Sequence, residues 1–376
     1  MAVTKSDDGE RPFSGPAPAP VEAGSMVPPA TPRHVSWDAL RVIAIAAVLA
    51  YHATFLAPLN LPGLDLPPWP LRMHFPFGAS LLIVVSGYFA AMTVGNQLPL
   101  HWWVRRLARL LPAFFVAVLV IFAIVRLFAP PDFPRPSGTD LVGNLALLHL
   151  LLPHIELVDL AHWTIPVQVS GFTAIAVLSG RISGRAATTL LWTILLVPIL
   201  VRITLMTQDA PAWLSAVMDG SGLNRAHLLI AGVAIYRWSK ARMSFPQLFA
   251  MLCVVLFAHS EHPPDGDSVP PFAAALVLIC LAAYRPVWQL PLLLTLARPL
   301  QWLAGISYGV YLMHYAIGTV LARRLADLGL GWWVWVPAFV LCAVLLGWLL
   351  TICVERPAFR LLTKRLPAKA GSRPAS

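Results

Sequence analysis

The chain reads as an all-α integral membrane protein of about ten transmembrane helices, with both termini cytoplasmic. Three observations predict this. Its 376 residues are 58% hydrophobic and 12% charged, about half the charged share of an ordinary soluble domain, which is roughly 25%. Apolar runs of about 20 residues recur, each long enough to cross the hydrocarbon of a bilayer. Lipid offers the backbone no hydrogen bonds, so such runs must be helical. Finally, the cations collect in alternate loops, as they do in multi-pass proteins.

The elements follow in order. Residues 1–35 are rich in Pro and Ala ("GPAPAPVEAGSMVPPATPR") and carry no apolar helical face. They read as a disordered tail. The tail lacks the basic start and short apolar stretch of a cleaved signal, so the first apolar run is expected to stay as an anchor. Ten spans are drawn at 39–59, 75–97, 110–129, 163–180, 187–206, 223–238, 245–259, 269–284, 300–322 and 331–353. The stretch 140–153 is short for a span and reads as an interfacial or re-entrant helix. The transmembrane domain covers 36–360, and 361–376 form a basic cytoplasmic tail.

Charge supports this drawing. With cytoplasmic termini, the inner segments hold 20 of the 27 Lys and Arg, including Arg41, Arg105, Arg106, Arg109, Arg181, Arg185, Arg237, Arg285 and Arg298. The outer segments hold most acids, among them Asp132, Asp140, Glu156, Asp159, Asp209, Asp219, Glu261, Asp265 and Asp267. The net charge of +10 therefore sets topology rather than a nucleic-acid surface. Cys253, Cys280, Cys342 and Cys353 fall in apolar runs without metal-ligand spacing and read as buried free thiols. No metal site and no bound cofactor are expected.

Six constellations stand out. Arg41 and His52 are eleven positions apart, about three helical turns, so they share one face. The axial gap is about 16 Å, which puts Arg41 at the headgroups and His52 near mid-membrane. Alone, Arg41 is a snorkelling anchor and His52 a bonded neutral imidazole. Together they form a polar track, and a membrane-buried His with a near-neutral pKa suits a general base. "WWVRRLARLLPAFF" sets Arg105, Arg106 and Arg109 on one surface, suited to phosphate, to anionic lipid or to topology alone. Ser86-Gly87 interrupts the second span, for close packing or for backbone approach to a ligand.

Trp163 fits an interfacial belt, Pro166 permits a kink, and Gln168 is costly to bury unless paired. "GISYGVYLMHYAIG" puts Tyr311 and His314 one turn apart on a face. Glu355, beside Arg356, closes the last span, with Pro357 stopping the helix.

In this order, these stretches resemble the membrane acyltransferase-3 family over residues 36 to about 360. The Arg41-to-His52 spacing matches its first-span pattern. Ser86-Gly87-Tyr88 matches its "SGF/Y", Arg105-Arg106 to Pro112 its "RRxxRLxP", Ser307 to His314 its "SYxxYLxH", and Glu355-Arg356-Pro357 its "ERP". Where many members carry "WxLxxE", this chain has Trp163 followed by Gln168.

The resemblance implies a multi-pass enzyme of the bacterial inner (plasma) membrane. It would be an O-acyltransferase moving an acyl group, expected to be acetyl, from acyl-CoA to a hydroxyl of a carbohydrate or glycosylated metabolite. Arg105, Arg106 and Arg109 are then expected to hold the acyl-CoA phosphates. Arg41 would clamp the pantetheine or polarise the thioester, and His52 would take the acceptor's proton or begin an acyl relay. Ser86, Gly87, Trp163, Gln168, Tyr311, His314 and Glu355 would support the pocket. Membrane lipid is a further partner, and nucleic acid is not. The alternative is a secondary transporter or flippase for a glycolipid or small metabolite. Against it stands the lack of an internal repeat and of matched broken half-helices.

Overall fold

The computed structural model describes residues 34–366, except 62, 67–71, 132, 207–210 and 263–264, and not the side chains of Asp265 and Asp267. The N-terminal tail to residue 33, the C-terminal tail from 367, Asp132 and Asp209 lie outside the described residues. Every regular element among the described residues is helical. Apart from the single turn Ala57–Asn60 and short 3-10 and π turns, these are in chain order α1 (Val35–Tyr51), α2 (Phe77–Val94), α3 (Pro99–Phe128), α4 (Gly138–Leu145), α5 (Thr164–Leu178), α6 (Gly184–Leu205), α7 (Ala212–Gly220) and α8 (Ala226–Ser239). There follow α9 (Phe245–Ser260), α10 (Val269–Tyr284), α11 (Pro291–Thr295), α12 (Ala297–Met313), α13 (Tyr315–Asp327), α14 (Trp332–Leu350) and α15 (Arg356–Thr363).

Helices occupy all ten stretches drawn from the sequence. Among the described residues, six segments are long and apolar enough to cross a membrane: Val35–Asn60, Phe77–Val94, Pro99–Phe128, Leu160–Leu178, Gly184–Leu205 and Trp332–Thr363. α9 and α10 are apolar but shorter. This is a membrane protein.

Among the described residues, two large apolar cores and a smaller one around Ala57, Leu64, Ala322 and Trp335 hold the bundle. One large core joins α2, α8 and α10 through residues such as Leu81, Val84, Leu228, Ile235 and Phe272. The other large core joins α1, α3, α12 and α14 through Ile45, Phe114, Ile121, Val310 and Phe339. α2 and α8 cross at Gly87 and Gly232, where a methyl group on either would fall on the partner's backbone. Helices meet this closely where no side chain intervenes. Gly87 is therefore a packing residue. No break occurs at Ser86-Gly87, and α2 runs through it.

Two wide turns interrupt otherwise long helices. Residues His52–Leu56 and Thr351–Glu355 are π-helical, and each closes with an i→i−5 bond, Ala57 N–H to His52 O and Arg356 N–H to Thr351 O. Each is followed by Pro at the next position but one, Pro58 and Pro357. A proline lacks the N–H and its ring crowds the carbonyl four residues back. One extra residue in the turn widens it and relieves both problems. Pro357 therefore does not stop the helix as expected, since α15 carries it in its first turn.

Further expectations are corrected. The 140–153 stretch is a shorter helix, α4, ending at Leu145. A capping box of Ser137 and Asp140 starts it, and Leu147, at φ 60°, turns the chain away. The ninth span is broken at His314, between α12 and α13. Pro166 lies in the first turn of α5, where its missing N–H costs nothing, so it introduces no kink. The cysteines are free but not buried: Cys253 and Cys353 are exposed and the other two partly covered. A bundle in lipid can present apolar side chains outward, which removes the pressure to bury them.

Candidate active site

α1 carries Arg41 near its start and His52 at its end, and the intervening α-helix keeps both on the inward side. They open, however, into different cavities. One cavity is lined by Arg41, Arg106, Arg109, Ser86, Gln168 and Tyr308, with Thr164 and Tyr311 among its other walls. A second is lined by His52, Tyr51, Trp163, Leu160, Gly78 and Arg225. Ala79 lines both. Neighbouring Trp163 and Thr164 thus divide between the two. The single polar track expected from helix spacing is divided between two chambers, which share Ala79 of α2 as a wall.

The arginines have separate fates. Arg106 donates to Phe89 O at 2.7 Å and Thr93 Oγ1 at 2.8 Å, with its guanidinium over Trp102 and Phe172. Arg109 is over half exposed, and its Nε lies 3.4 Å from Glu355 Oε1. Arg105 does not line the cavity; it reaches the Leu366 carbonyl at 3.3 Å. Arg41 lies 3.9 Å from buried Asp38 and over the Phe89 ring. Glu355 is thus the anionic partner of Arg109, held by the π-turn that precedes α15. Gln168 is paired as expected, its Oε1 accepting from Ser86 Oγ at 3.1 Å. Tyr308, part of the same ninth-span pattern as Tyr311 and His314, donates to Leu110 O at 2.8 Å and ties α12 to α3.

Around the second chamber the structure joins His52 to His314. His52 Nδ1 and His314 Nε2 are 2.6 Å apart, and His314 Nδ1 is 2.7 Å from Tyr311 O. That second contact takes a carbonyl the helix would otherwise use, which is consistent with the break after Met313. Tyr311 OH donates to Ala161 O at 2.5 Å. Trp163 lies under the Arg225 guanidinium, 4.8 Å from its ring centre. It is therefore a wall of the second chamber.

Asp159, read from the sequence only as an outer acid, organises this end. It is buried, and Oδ2 accepts from Ala316 N–H at 2.9 Å while Oδ1 accepts from Ala161 N–H at 2.8 Å. One carboxylate caps both α13, just after His314, and the short turn Leu160–Trp163 that leads into α5. Carboxylates favour helix N-termini. The local signal was an Asp ahead of a helix start; its second partner is 157 residues away.

A family model described as an acyltransferase domain, Acyl_transf_3, matches residues 34–352. The chain belongs to this family. The match spans both chambers, α1 to α14. Among curated proteins, this acyltransferase-family chain is 25% identical over 342 residues to "Peptidoglycan O-acetyltransferase OatA" of Listeria monocytogenes, covering 76% of this chain and 49% of the relative. It is 24% identical over 388 residues to "Putative peptidoglycan O-acetyltransferase YrhL" of Bacillus subtilis, covering 88% and 56%. The chain thus spans about half the length of these relatives. No solved structure matches it.

Proposed function

We propose that this acyltransferase-family chain is a ten-span inner-membrane O-acyltransferase with cytoplasmic termini. It moves an acyl group, acetyl by preference, from acyl-CoA to a carbohydrate hydroxyl. The observation that carries this reading is the pair of chambers meeting at Ala79, one bearing Arg41, Arg106 and Arg109, the other bearing His52. Guanidinium groups bind phosphate, and Arg109 has the exposure to do so. The acyl-CoA enters the arginine chamber, on the side where the sequence places most cations. Its thioester reaches the partition at Ala79. The acceptor hydroxyl enters the opposite chamber beside His52, which takes its proton as oxygen attacks the thioester carbon. The names of the two relatives support a peptidoglycan-type glycan as acceptor. Family membership favours acyl transfer over carriage of a lipid or metabolite.

The test uses purified protein in liposomes with radiolabelled acetyl-CoA and soluble glycan fragments. Label should pass to the glycan, and His52→Ala should cut the rate by about 10²–10⁴-fold, the range that general-base catalysis supplies. A folded His52→Ala protein with unchanged transfer would remove the assignment.

A further inference from the structure

The pairing of His52 with His314 fixes where protons sit. A backbone carbonyl can only accept, so the 2.7 Å contact between His314 Nδ1 and Tyr311 O requires a proton on that Nδ1. Turning the His314 ring over would set carbons against both Tyr311 O and His52, so the ring orientation is fixed by its two neighbours. His314 is wholly buried, and its environment favours a neutral ring at rest. A neutral ring with a proton on Nδ1 has a bare Nε2. That nitrogen lies 2.6 Å from His52 Nδ1, so His52 Nδ1 must carry the proton between them. Neutral His52 then has its lone pair on Nε2. That atom makes no hydrogen bond among the described residues, and His52 lines the second chamber.

We propose that His314 is a positioning residue that holds His52 in its Nδ1–H tautomer, leaving Nε2 as the base that meets the acceptor. The proposal rests on the acyltransferase reading above. In the step, the acceptor O–H gives its proton to His52 Nε2 while its oxygen bonds to the thioester carbon. The carbon–sulfur bond breaks, and the leaving thiolate takes that proton back from Nε2 to become the free thiol of CoA. Between the two transfers His52 is an imidazolium. Its Nδ1–H donates to His314 Nε2, which steadies the charge without leaving its place. Asp159 holds the start of α13 against this pair and supplies the nearby negative charge.

Two substitutions separate positioning from structure. In His314→Gln, the amide oxygen reaches the place of Nε2 and can still accept from His52. In His314→Asn, the shorter amide can reach Tyr311 O but not His52. Solid-state ¹⁵N spectra of histidine-labelled protein in liposomes, with the His52 signals identified by their loss in His52→Gln, read the tautomer directly. Wild type and His314→Gln should show His52 protonated at Nδ1, and His314→Asn should show Nε2 protonation. Turnover should follow the same order. His314→Asn should lower kcat about 100-fold or more with the acyl-CoA KM within about twofold, and His314→Gln should recover at least tenfold of that loss. Wild-type His52 protonated at Nε2 would overturn the proposal, whether or not any variant folds. So would equal kcat in the Gln and Asn variants with Nδ1 protonation kept in both. A wild-type protein with the Nδ1–H tautomer but no acyl transfer supports the tautomer and overturns the acyltransferase reading alone.

Discussion

Arg105, Arg106 and Arg109 are one cluster in the sequence and three different residues in the fold. Helical spacing correctly groups them, but which guanidinium is spoken for depends on Phe89, Thr93, Leu366 and Glu355, all on other segments. Arg106 spends its donors on Phe89 O and Thr93 Oγ1. Arg106→Ala should therefore lower stability by about 1–3 kcal/mol, the range for orphaned buried hydrogen-bonding groups, seen as a lower unfolding temperature in detergent. Arg109→Ala should leave the unfolding temperature unchanged and raise the KM for acyl-CoA about tenfold or more, since charge-assisted bonds to phosphate contribute about 1.5–3 kcal/mol. The reverse pattern would place the donor phosphates on Arg106. The histidines divide similarly. His52 is legible from its cost in lipid and its spacing from Arg41. His314 is legible only as a neighbour of Tyr311, because nothing local announces a partner 262 residues away.

At the level of elements, the sequence states where helices run and is nearly silent on where they break. Apolarity locates helices in all ten stretches, and six segments among the described residues are also long enough to cross a membrane. The break at His314, the two π-turns and the early end of α4 come from side chains and prolines competing for backbone groups. Asp140 is an example. Its Oδ2 accepts from Ser137 N–H at 2.7 Å and Oδ1 from Glu156 N–H at 2.8 Å, while Asn144 bonds Glu156 O and Val158 N–H. This small knot fixes the loop that delivers Asp159 to α13. Burial alone would raise the Asp140 carboxyl, but the Ser137 hydroxyl, the Ser137 and Glu156 N–H groups and His154 outweigh it and hold it below its usual value. A folded pKa below the unfolded one adds stability above about pH 4, lost as pH falls through the folded value. Asp140→Asn should thus melt earlier than wild type at pH 7, with the gap closing in more acid buffer. Ser137→Ala should cost about 1 kcal/mol of stability by the same melting measurement.

Across the whole molecule, the helices bear unequal surroundings. α6 exposes Leu196, Val197, Leu200 and Ile203 along one side, as an outer helix bathed in lipid would. Leu200→Ala should change stability by no more than about 0.5 kcal/mol. Gly232→Val, at the α2–α8 crossing, should cost about 1–3 kcal/mol by forcing the backbones apart. Differential scanning fluorimetry of the two variants in one detergent compares them directly. Composition foretells the membrane, but not which faces meet protein and which meet lipid. The hydrophobicity of α2 is alike on all sides. Only the glycines mark the seam, and Gly87 reads equally well as packing or as ligand approach until Leu229 is seen against it.

The paired wide turns before Pro58 and Pro357 carry a consequence for descent. Each turn and its proline are a matched set. Removing one residue from His52–Leu56 would restore a plain helix and press the Pro58 ring against the carbonyl four residues back, while replacing the proline alone would leave a widened turn with nothing to relieve. Among homologous chains, the extra residue and the proline should therefore be gained or lost together, at each site independently. Gaps in an alignment of this family should fall just after the histidine and just before the terminal Glu-Arg, never between Arg41 and His52.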